Sequence, residues 1–205
     1  MKKAVLISIG GVLTVGAIFI ITAQTGGRRI VPSPEKIFDV MQGKNNEPFP
    51  VLKNPLIVVR KKERKLYLYD EEKLVKTYDI ALGFAPVGDK ERQGDGKTPE
   101  GEFYIFTKNP KSSYYLSLGV SYPSIDDAER GLREKIILKN ERDSIVKAIS
   151  EKKMPLQNTK LGGEIYIHGG GAANDWTLGC VALANEDVKE LFDALEVRTK
   201  VRIEP

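Results

Sequence analysis

The sequence predicts a mainly β domain with a few helices. From Leu56 onwards, short segments of alternating apolar and polar residues are bounded by charged or turn residues, which is typical of half-buried strands. Segments of this kind lie at 56–60, 65–70, 74–82, 102–108, 114–120, 164–169, 180–183 and 200–204. Helical spacing or capping residues are confined to three stretches of the same region. The strands therefore dominate the predicted fold.

The three predicted helices begin at polar residues. Segment 124–132 starts with Ser124 as a cap and has acidic residues in its first turn, and segment 140–153 follows the same logic. Segment 185–195 starts at Asn185 and carries an apolar stripe at i, i+3, i+4 and i+7. The stripe consists of Val188, Leu191, Phe192 and Leu195. It is the face of a helix that packs on a core, so we assign it no chemical role.

An apolar segment opens the chain. The stretch from Ala4 to Ala23 contains no charged residue, and as a helix it would span about 30 Å of hydrocarbon. Signal peptides are cut after small residues at the −3 and −1 positions, but a cut after Ala23 would place Ile21 at −3. We therefore expect residues 1–26 to be an uncleaved signal anchor, with a cleaved signal peptide as the alternative. Either implies an exported domain.

Residues 27–53 are predicted to be a linker. This part is rich in proline and polar residues, and its one periodic piece could form a short helix from Pro34 to Met41. A single domain at 54–205 follows, without internal repeats.

The charge balance argues against nucleic acid as a partner. The formal net charge is +4, of which Lys2 and Lys3 contribute two, and no basic face interleaved with aromatic residues is present. A structural zinc site is excluded as well, because one histidine and one cysteine cannot supply four N/S ligands. Carboxylate-bound metals stay open on composition alone. We expect neither a cofactor nor a catalytic metal, and we expect a monomer.

The chain's only histidine and only cysteine lie in the stretch IHGGGAANDWTLGC, which runs from Ile167 to Cys180. Each alone could be structural, but a thiol and an imidazole together are what nucleophilic cysteine catalysis requires. His168 ends a predicted strand, and Gly179 would let the backbone approach a substrate carbonyl and direct N–H groups at an oxyanion. Hydrogen bonding between thiol and imidazole would favour a thiolate–imidazolium pair near neutral pH.

Other segments resemble known functional motifs but lack the surrounding sequence that those motifs require. GDGKT at 94–98 resembles the end of a phosphate-binding loop, but the required earlier glycine is Glu91 and Pro99 opposes the helix. The same loop matches a calcium loop only weakly, and it lies between strands. HGGG at 168–171 resembles an oxyanion loop of lipases, yet the chain has no G-x-S-x-G elbow.

The remaining motifs resemble the L,D-transpeptidase catalytic domain, also called YkuD-type, which remodels bacterial peptidoglycan. They are KLYLYD with KTYDIALG, GDGKTPEGEFYI, SLGVSYP, and IHGGG followed by TLGC. The resemblance covers roughly 54–204 and is specific through the combination of motifs. It implies a mixed-sheet β-sandwich behind the N-terminal transmembrane or signal helix.

The resemblance also implies roles for individual residues. Cys180 would attack a stem-peptide carbonyl that follows an L-centre, with His168 as its base. The carbonyl of Gly169 would orient the imidazole, and the backbone around Gly179 and Cys180 would supply oxyanion donors. Thr177 occupies the Ser/Thr place of the motif, and we expect Thr177 and Trp176 to bind substrate. Carbapenems, which mimic the stem-peptide acyl group, would acylate Cys180.

Two residues depart from the family pattern. Leu178 stands where many members have histidine, and Ala182 stands where many have arginine. Both could alter substrate choice, and some relatives that resemble such an alanine-bearing variant hydrolyse peptidoglycan bonds.

Three functions follow from this reading of the sequence. The leading one is a cysteine acyltransferase that acts on peptidoglycan stem peptides through a Cys180 thioester. The alternatives are an L,D-carboxypeptidase or endopeptidase, and a non-catalytic cell-wall binding module. The expected location is the outer face of the bacterial cytoplasmic membrane, or the periplasm or cell wall, with membrane contact through the N-terminal segment.

Overall fold

The computed structural model describes residues 49–205. The apolar segment Ala4 to Ala23 and the short helix predicted at 34–41 lie outside the described residues. Within residues 49–205, none of the helices has the length and apolar character needed to cross a lipid bilayer. Phe49 and Leu52, which belong to the predicted linker, pack against the core of the domain.

The mainly β prediction is confirmed for the described residues. The strands are β1 (Pro55–Arg60), β2 (Lys65–Asp70), β3 (Lys73–Asp79), β4 (Gly101–Ser112), β5 (Tyr115–Val120), β6 (Tyr166–His168), β7 (Val181–Ala182) and β8 (Lys200–Glu204). The helices are α1 (Ile125–Arg133), α2 (Lys139–Ser150) and α3 (Asn185–Ala194). Each predicted strand and helix has a counterpart, although β6 and β7 are shorter than the predicted segments 164–169 and 180–183.

The strands form one continuous mixed sheet in the order β3-β2-β1-β8-β4-β5-β6-β7. Two pairs are parallel, β1 with β8 and β6 with β7, and the others are antiparallel. The long β4 joins the two halves, because residues 101–104 pair with β8 and residues from 105 onwards pair with β5. A register shift between Ile105 and Thr107 marks the change of partner, as a bulge does where a sheet bends.

The two halves of this curled sheet enclose one apolar core. Its members come from both ends of the strand order, for example Leu68 on β2 and Ile167 on β6. The helix α3 contributes Val188, Leu191 and the following Leu195, all fully buried. The predicted stripe on this helix therefore is a packing face, and Phe192 lies at its margin. The two halves lie on either side of this core as the two layers of the expected sandwich would, but hydrogen-bonded strand pairing continues through all eight strands.

A second, smaller core joins α1 to α2 through Ala128, Ile137, Ile145 and Leu161. The helix α1 begins as predicted, because Ser124 Oγ accepts the Asp127 N–H at 3.1 Å while the Asp127 carboxylate accepts the Ser124 N–H at 3.0 Å. This reciprocal capping satisfies two N–H groups that the first turn leaves free.

Candidate active site

His168 is the last residue of β6, and its imidazole is 3% exposed. The ring nitrogen Nδ1 lies 2.6 Å from the carbonyl oxygen of Gly169. Since a carbonyl oxygen only accepts hydrogen bonds, Nδ1 must carry the proton and donate it. In the neutral imidazole, Nε2 is then left with a free lone pair, which is the form that a general base requires.

Two aromatic side chains surround the imidazole. The Tyr114 ring stacks on it with centroids 4.6 Å apart, and the Trp176 ring meets it edge-on with centroids 5.6 Å apart. Trp176 is 40% exposed and its Nε1–H donates to the Gly171 carbonyl at 3.2 Å. The predicted substrate-binding residue Trp176 thus stands at the solvent-facing rim beside His168.

Cys180 immediately precedes β7, which runs parallel to the strand that ends at His168. The parallel register pairs His168 with Ala182, which places Cys180 level with Tyr166. Side chains two residues apart on a strand share a face, and the intervening Ile167 and Val181 point into the core. The register thus places Cys180 two residues before the strand partner of His168.

The thiol of Cys180 is held on the β6 side. Its Sγ accepts the Tyr166 N–H at 3.4 Å and donates to the Glu164 carbonyl at 3.4 Å. Donation to a carbonyl requires the protonated thiol, because a thiolate has no proton to give. The geometry therefore describes a resting thiol.

Both pKa shifts oppose the ion pair that the sequence suggested. Burial raises the pKa of the Cys180 thiol to about 11. The hydrogen bond from the Tyr166 N–H lowers this pKa and so partly offsets the effect of burial. Burial likewise lowers the pKa of His168 from its ordinary value, and the Gly169 carbonyl only partly offsets this. Burial disfavours whichever form is charged, which is the thiolate for cysteine and the imidazolium for histidine. Both directions disfavour a preformed thiolate–imidazolium pair in the resting site, so that pair stays a prediction.

These shifts predict the pH dependence of thiol reactivity. Because only the thiolate is nucleophilic and its pKa is raised to about 11, alkylation of Cys180 by iodoacetamide should accelerate from pH 7 up to about pH 11. A free cysteine levels off above its pKa of about 8.5. Mass spectrometry of the intact chain follows the reaction without ambiguity, since the sequence contains one cysteine. A rate that levels off below pH 9 would contradict the neutral pair.

Thr177 and Gly179 shape the loop that leads into Cys180. The buried Thr177 hydroxyl donates to the Cys180 carbonyl at 2.8 Å and accepts the Gly179 N–H at 3.1 Å. Gly179 has φ +133°, and a Cβ there would lie 2.7 Å from the Lys97 carbonyl oxygen. Glycine is thus required both by the backbone conformation and by the close approach of the 94–98 loop.

The GDGKT loop at 94–98 packs against the loop that leads into Cys180. Thr98 Oγ1 accepts the Gly83 N–H at 3.0 Å and lies 3.5 Å from the Cys180 carbonyl oxygen. Asp95 closes the loop by accepting the N–H groups of Glu91, Arg92 and Lys97. The motif therefore has a structural task beside the site. In residues 49–205 no three or more His, Cys, Asp or Glu side chains are grouped so as to hold a metal ion.

Sequence reasoning missed several residues that contact the site. Asp175 pairs with Arg64 through both of its carboxylate oxygens and accepts the Leu82 N–H at 2.9 Å, which anchors the chain directly before Trp176. Tyr114 stacks on His168, and Asn185 contacts the loop after it. Arg64 and Asp175 are 111 positions apart in the chain, so no local pattern could pair them.

Residues 54–203 match the family described as YkuD, the L,D-transpeptidase catalytic domain. The chain belongs to this family. The match includes every residue that the sequence singled out for the L,D-transpeptidase site, namely His168, Gly169, Trp176, Thr177, Gly179 and Cys180.

Curated relatives of this L,D-transpeptidase domain have low identity. YafK of Escherichia coli (strain K12) is 28% identical over 143 residues, which are 66% of this chain and 45% of YafK. YkuD of Bacillus licheniformis is 28% identical over 166 residues, which are 76% of this chain and 72% of that protein. Both names assign the proteins provisionally to the L,D-transpeptidases. The chain thus spans less than half of YafK.

Solved structures of similar fold include two bacterial proteins. The helical cell shape determining protein Pgp2 from Campylobacter jejuni has a TM-score of 0.49 and 21% identity, over 82% of this chain and 55% of that one. An L,D-transpeptidase from Xylanimonas cellulosilytica has a TM-score of 0.46 and 14% identity, over 83% of this chain and 70% of that one.

The two departures from the family pattern occupy different environments. Leu178 is 75% exposed in the loop before Cys180. Ala182 is fully buried, pairs with His168 across the parallel strands and bridges to Ala81. A larger residue at 182 would therefore press on the strand that carries the imidazole.

Proposed function

We propose that this chain is a cysteine acyltransferase that acts on peptidoglycan stem peptides by L,D-transpeptidation. Membership of the family supports the substrate class. The observation that supports the chemistry is the 2.6 Å contact between His168 Nδ1 and the Gly169 carbonyl, which leaves Nε2 free, while the register places Cys180 two residues before the strand partner of His168. A nucleophile, a base and a group that orients the base are thus present.

In the proposed first step, the thiol leaves its bond to the Glu164 carbonyl and gives its proton to His168 Nε2 as Sγ attacks the substrate carbonyl carbon. The transfer accompanies the attack, because the resting thiol and imidazole are both neutral. The tetrahedral oxyanion accepts a hydrogen bond from a backbone N–H. Because the Gly179 N–H already donates to the Thr177 hydroxyl, the Cys180 N–H is the remaining donor of the expected pair.

The intermediate then collapses to a thioester. The bond between the carbonyl carbon and the leaving nitrogen breaks, and the imidazolium returns its proton to that nitrogen, which departs as an amine. An acceptor amine next attacks the thioester carbonyl and loses a proton to His168. The bond between the carbonyl carbon and Sγ breaks as the new amide bond forms, and the imidazolium returns the proton to Sγ, which restores the thiol. All of these groups belong to one chain, so a monomer suffices.

A groove beside Tyr166 offers room for the peptide. It has a volume of about 490 Å³ and is lined by Phe106, Thr107, Lys108, Asn109, Met154 and Tyr166. The rings of Phe106 and Tyr166 face each other with centroids 6.3 Å apart. Among these lining residues, Tyr166 contacts Cys180 through its backbone N–H, whereas neither Cys180 nor His168 lines the groove itself.

The two predicted substrate-binding residues, Trp176 and Thr177, differ in exposure and in hydrogen bonding. Trp176 is half exposed at the rim beside His168, where its ring can cover a bound peptide. Thr177 is buried, and its hydroxyl is engaged by Gly179 and Cys180. We therefore assign Thr177 to holding the nucleophile loop, and substrate contact to Trp176.

Hydrolysis is the second candidate function. The observation that favours it is Ala182, a small buried residue beside His168 where many family members carry arginine. If water reaches the thioester before an amine, the same residues perform carboxypeptidase or endopeptidase chemistry. The binding-module alternative requires no reaction at Cys180.

Mass spectrometry of muropeptides incubated with the full chain separates the three functions. New cross-links with release of a D-amino acid support transpeptidation, and loss of peptide bonds without new cross-links supports hydrolysis. The Cys180→Ala variant is the control in each reaction. Muropeptides that stay unchanged with the wild-type chain would reject the proposed enzyme in favour of the binding module.

The proposed site lies outside the cytoplasm and next to the membrane. We expect the full chain to remain with the membrane fraction after a wash in high salt, because the uncharged stretch Ala4 to Ala23 would bind by hydrophobic burial rather than by screened charge. Immunoblotting of fractions provides the measurement. Recovery of a soluble product that starts near Gln24 would instead show a cleaved signal peptide.

A further inference from the structure

The peptide unit between Gly169 and Gly170 is held at both of its ends. Its carbonyl oxygen, that of Gly169, accepts the His168 Nδ1–H at 2.6 Å. Its N–H, that of Gly170, donates to Asn185 Oδ1 at 3.0 Å. A peptide unit is planar, so fixing the direction of its N–H also fixes the direction of its carbonyl.

The peptide units on either side are anchored by other bonds, because the Gly169 N–H donates to the Leu116 carbonyl at 3.3 Å and the Gly171 N–H donates to the Leu183 carbonyl at 2.8 Å. Between them, the Asn185 side chain holds the N–H of the Gly169–Gly170 unit. Gly170 and Gly171 have φ +108° and +104°, values that glycine adopts freely and that leave many alternative orientations open. The peptide plane could rotate and withdraw its carbonyl from the imidazole at little cost. The tautomer of His168 would then lose the bond that selects it.

The packing around Gly169 fits the same arrangement. A Cβ at Gly169 would lie 2.5 Å from Asn185 Oδ1 and 2.8 Å from the Tyr114 carbonyl oxygen. The absence of a side chain therefore lets the Asn185 amide reach across Gly169 to the next N–H. Asn185 is the first residue of α3, but its side chain does not cap that helix, whose N-cap residue Ala184 makes no side-chain hydrogen bond.

We propose that Asn185 is a positioning residue that sets the tautomer of His168 by fixing the Gly169–Gly170 peptide plane. This inference rests on the proposed function, in which His168 Nε2 accepts the thiol proton. Asn185 touches neither the substrate carbonyl nor the thiol in this scheme. It acts through one peptide unit, and its own backbone is held in place as the first residue of α3.

The chain contains one histidine, so the tautomer can be read without resonance assignment. In the untagged full chain, the ¹⁵N shifts of the imidazole at a pH where it is neutral should show a protonated Nδ1 and an unprotonated Nε2. Asn185→Ala should give a mixture of the two tautomers. Asn185→Asp keeps an oxygen acceptor at the same position, and should preserve the wild-type shifts.

Kinetics with muropeptides supply the second readout. Gly170 and Asn185 are exposed, and one such hydrogen bond has a net value that corresponds to a loss of about threefold to tenfold in kcat for Asn185→Ala. The KM should be unchanged, because the substrate does not contact Asn185. Glu186→Gln, one position along the same exposed helix start, is the matched control and should leave both readouts at their wild-type values.

The outcomes separate this inference from the proposed function. A mixed tautomer in Asn185→Ala with rescue by Asn185→Asp supports the positioning role, even if the wild-type chain proves inactive on muropeptides. Wild-type shifts in Asn185→Ala would overturn it, even if Cys180 and His168 are shown to be catalytic. Should Asn185→Ala unfold, Asn185→Ser, which shortens the acceptor out of reach, takes its place and must give the same mixture.

Discussion

Replacing Cys180 with alanine should abolish turnover of muropeptides, and His168→Ala should reduce it by about a thousandfold or more. Without the thiol no thioester can form. Without the imidazole the thiol, whose pKa is raised to about 11, stays protonated, and the leaving amine lacks a proton donor. The double variant should be no slower than Cys180→Ala, because the two groups act as one unit.

Acylation by a carbapenem tests the same pair, Cys180 and His168, without the natural substrate. The family resemblance implies one adduct on the wild-type chain at Cys180, none on Cys180→Ala, and slow addition to His168→Ala, all visible in the intact mass. Circular dichroism should show that the variants stay folded, since neither side chain belongs to the main apolar core. A folded Cys180→Ala chain that retains activity, or a wild-type Cys180 left unmodified by the carbapenem, would falsify the assignment.

Gly179→Ala should lose both stability and activity. The added Cβ would lie 2.7 Å from the Lys97 carbonyl oxygen, a backbone atom that cannot rotate away, and φ +133° is strained for any residue except glycine. Backbone strain and overpacking together correspond to a loss of about 2–6 kcal/mol in the free energy of unfolding. The displaced loop would carry Cys180 and its N–H away from the oxyanion position, so kcat should fall as well.

Urea denaturation followed by Trp176 fluorescence gives the stability of this variant, since the chain contains one tryptophan. Gly94→Ala is the matched control. Gly94 has φ +80°, but a Cβ there would meet nothing within 4 Å, so it isolates the cost of the backbone conformation. We expect a loss of about 1–2 kcal/mol for Gly94→Ala, with activity retained. Equal losses for the two variants would show that the contact with Lys97 is unimportant.

The strands and helices were predictable because their signals are local. Alternation along KLYLYD, and the stripe from Val188 to Leu195, each report which side of one element is buried. The boundaries were less predictable near the site. The predicted strand 180–183 shrinks to Val181–Ala182, because Cys180 follows a glycine with positive φ and Leu183 leads into α3.

The proposed nucleophile and its proposed base were predictable as residue types, since the chain offers one cysteine and one histidine. Their protonation states were not. Burial raises the pKa of Cys180 and lowers that of His168, and burial depends on the loops and strands that close around both groups. In the proposed mechanism, these directions favour a proton transfer that accompanies the attack over a preformed ion pair.

The sequence by itself thus determined the family motifs, the order of strands and helices along the chain, and the identity of the proposed catalytic pair. Only the tertiary structure decided that β8 inserts between β1 and β4, that β6 and β7 lie parallel, and that Asp175 and Asn185 hold the loops around His168. The physical reason is that alternation and capping are encoded within a few neighbouring residues. A hydrogen bond between Arg64 and Asp175 joins positions 111 residues apart, and it exists only once the whole sheet has curled around its core.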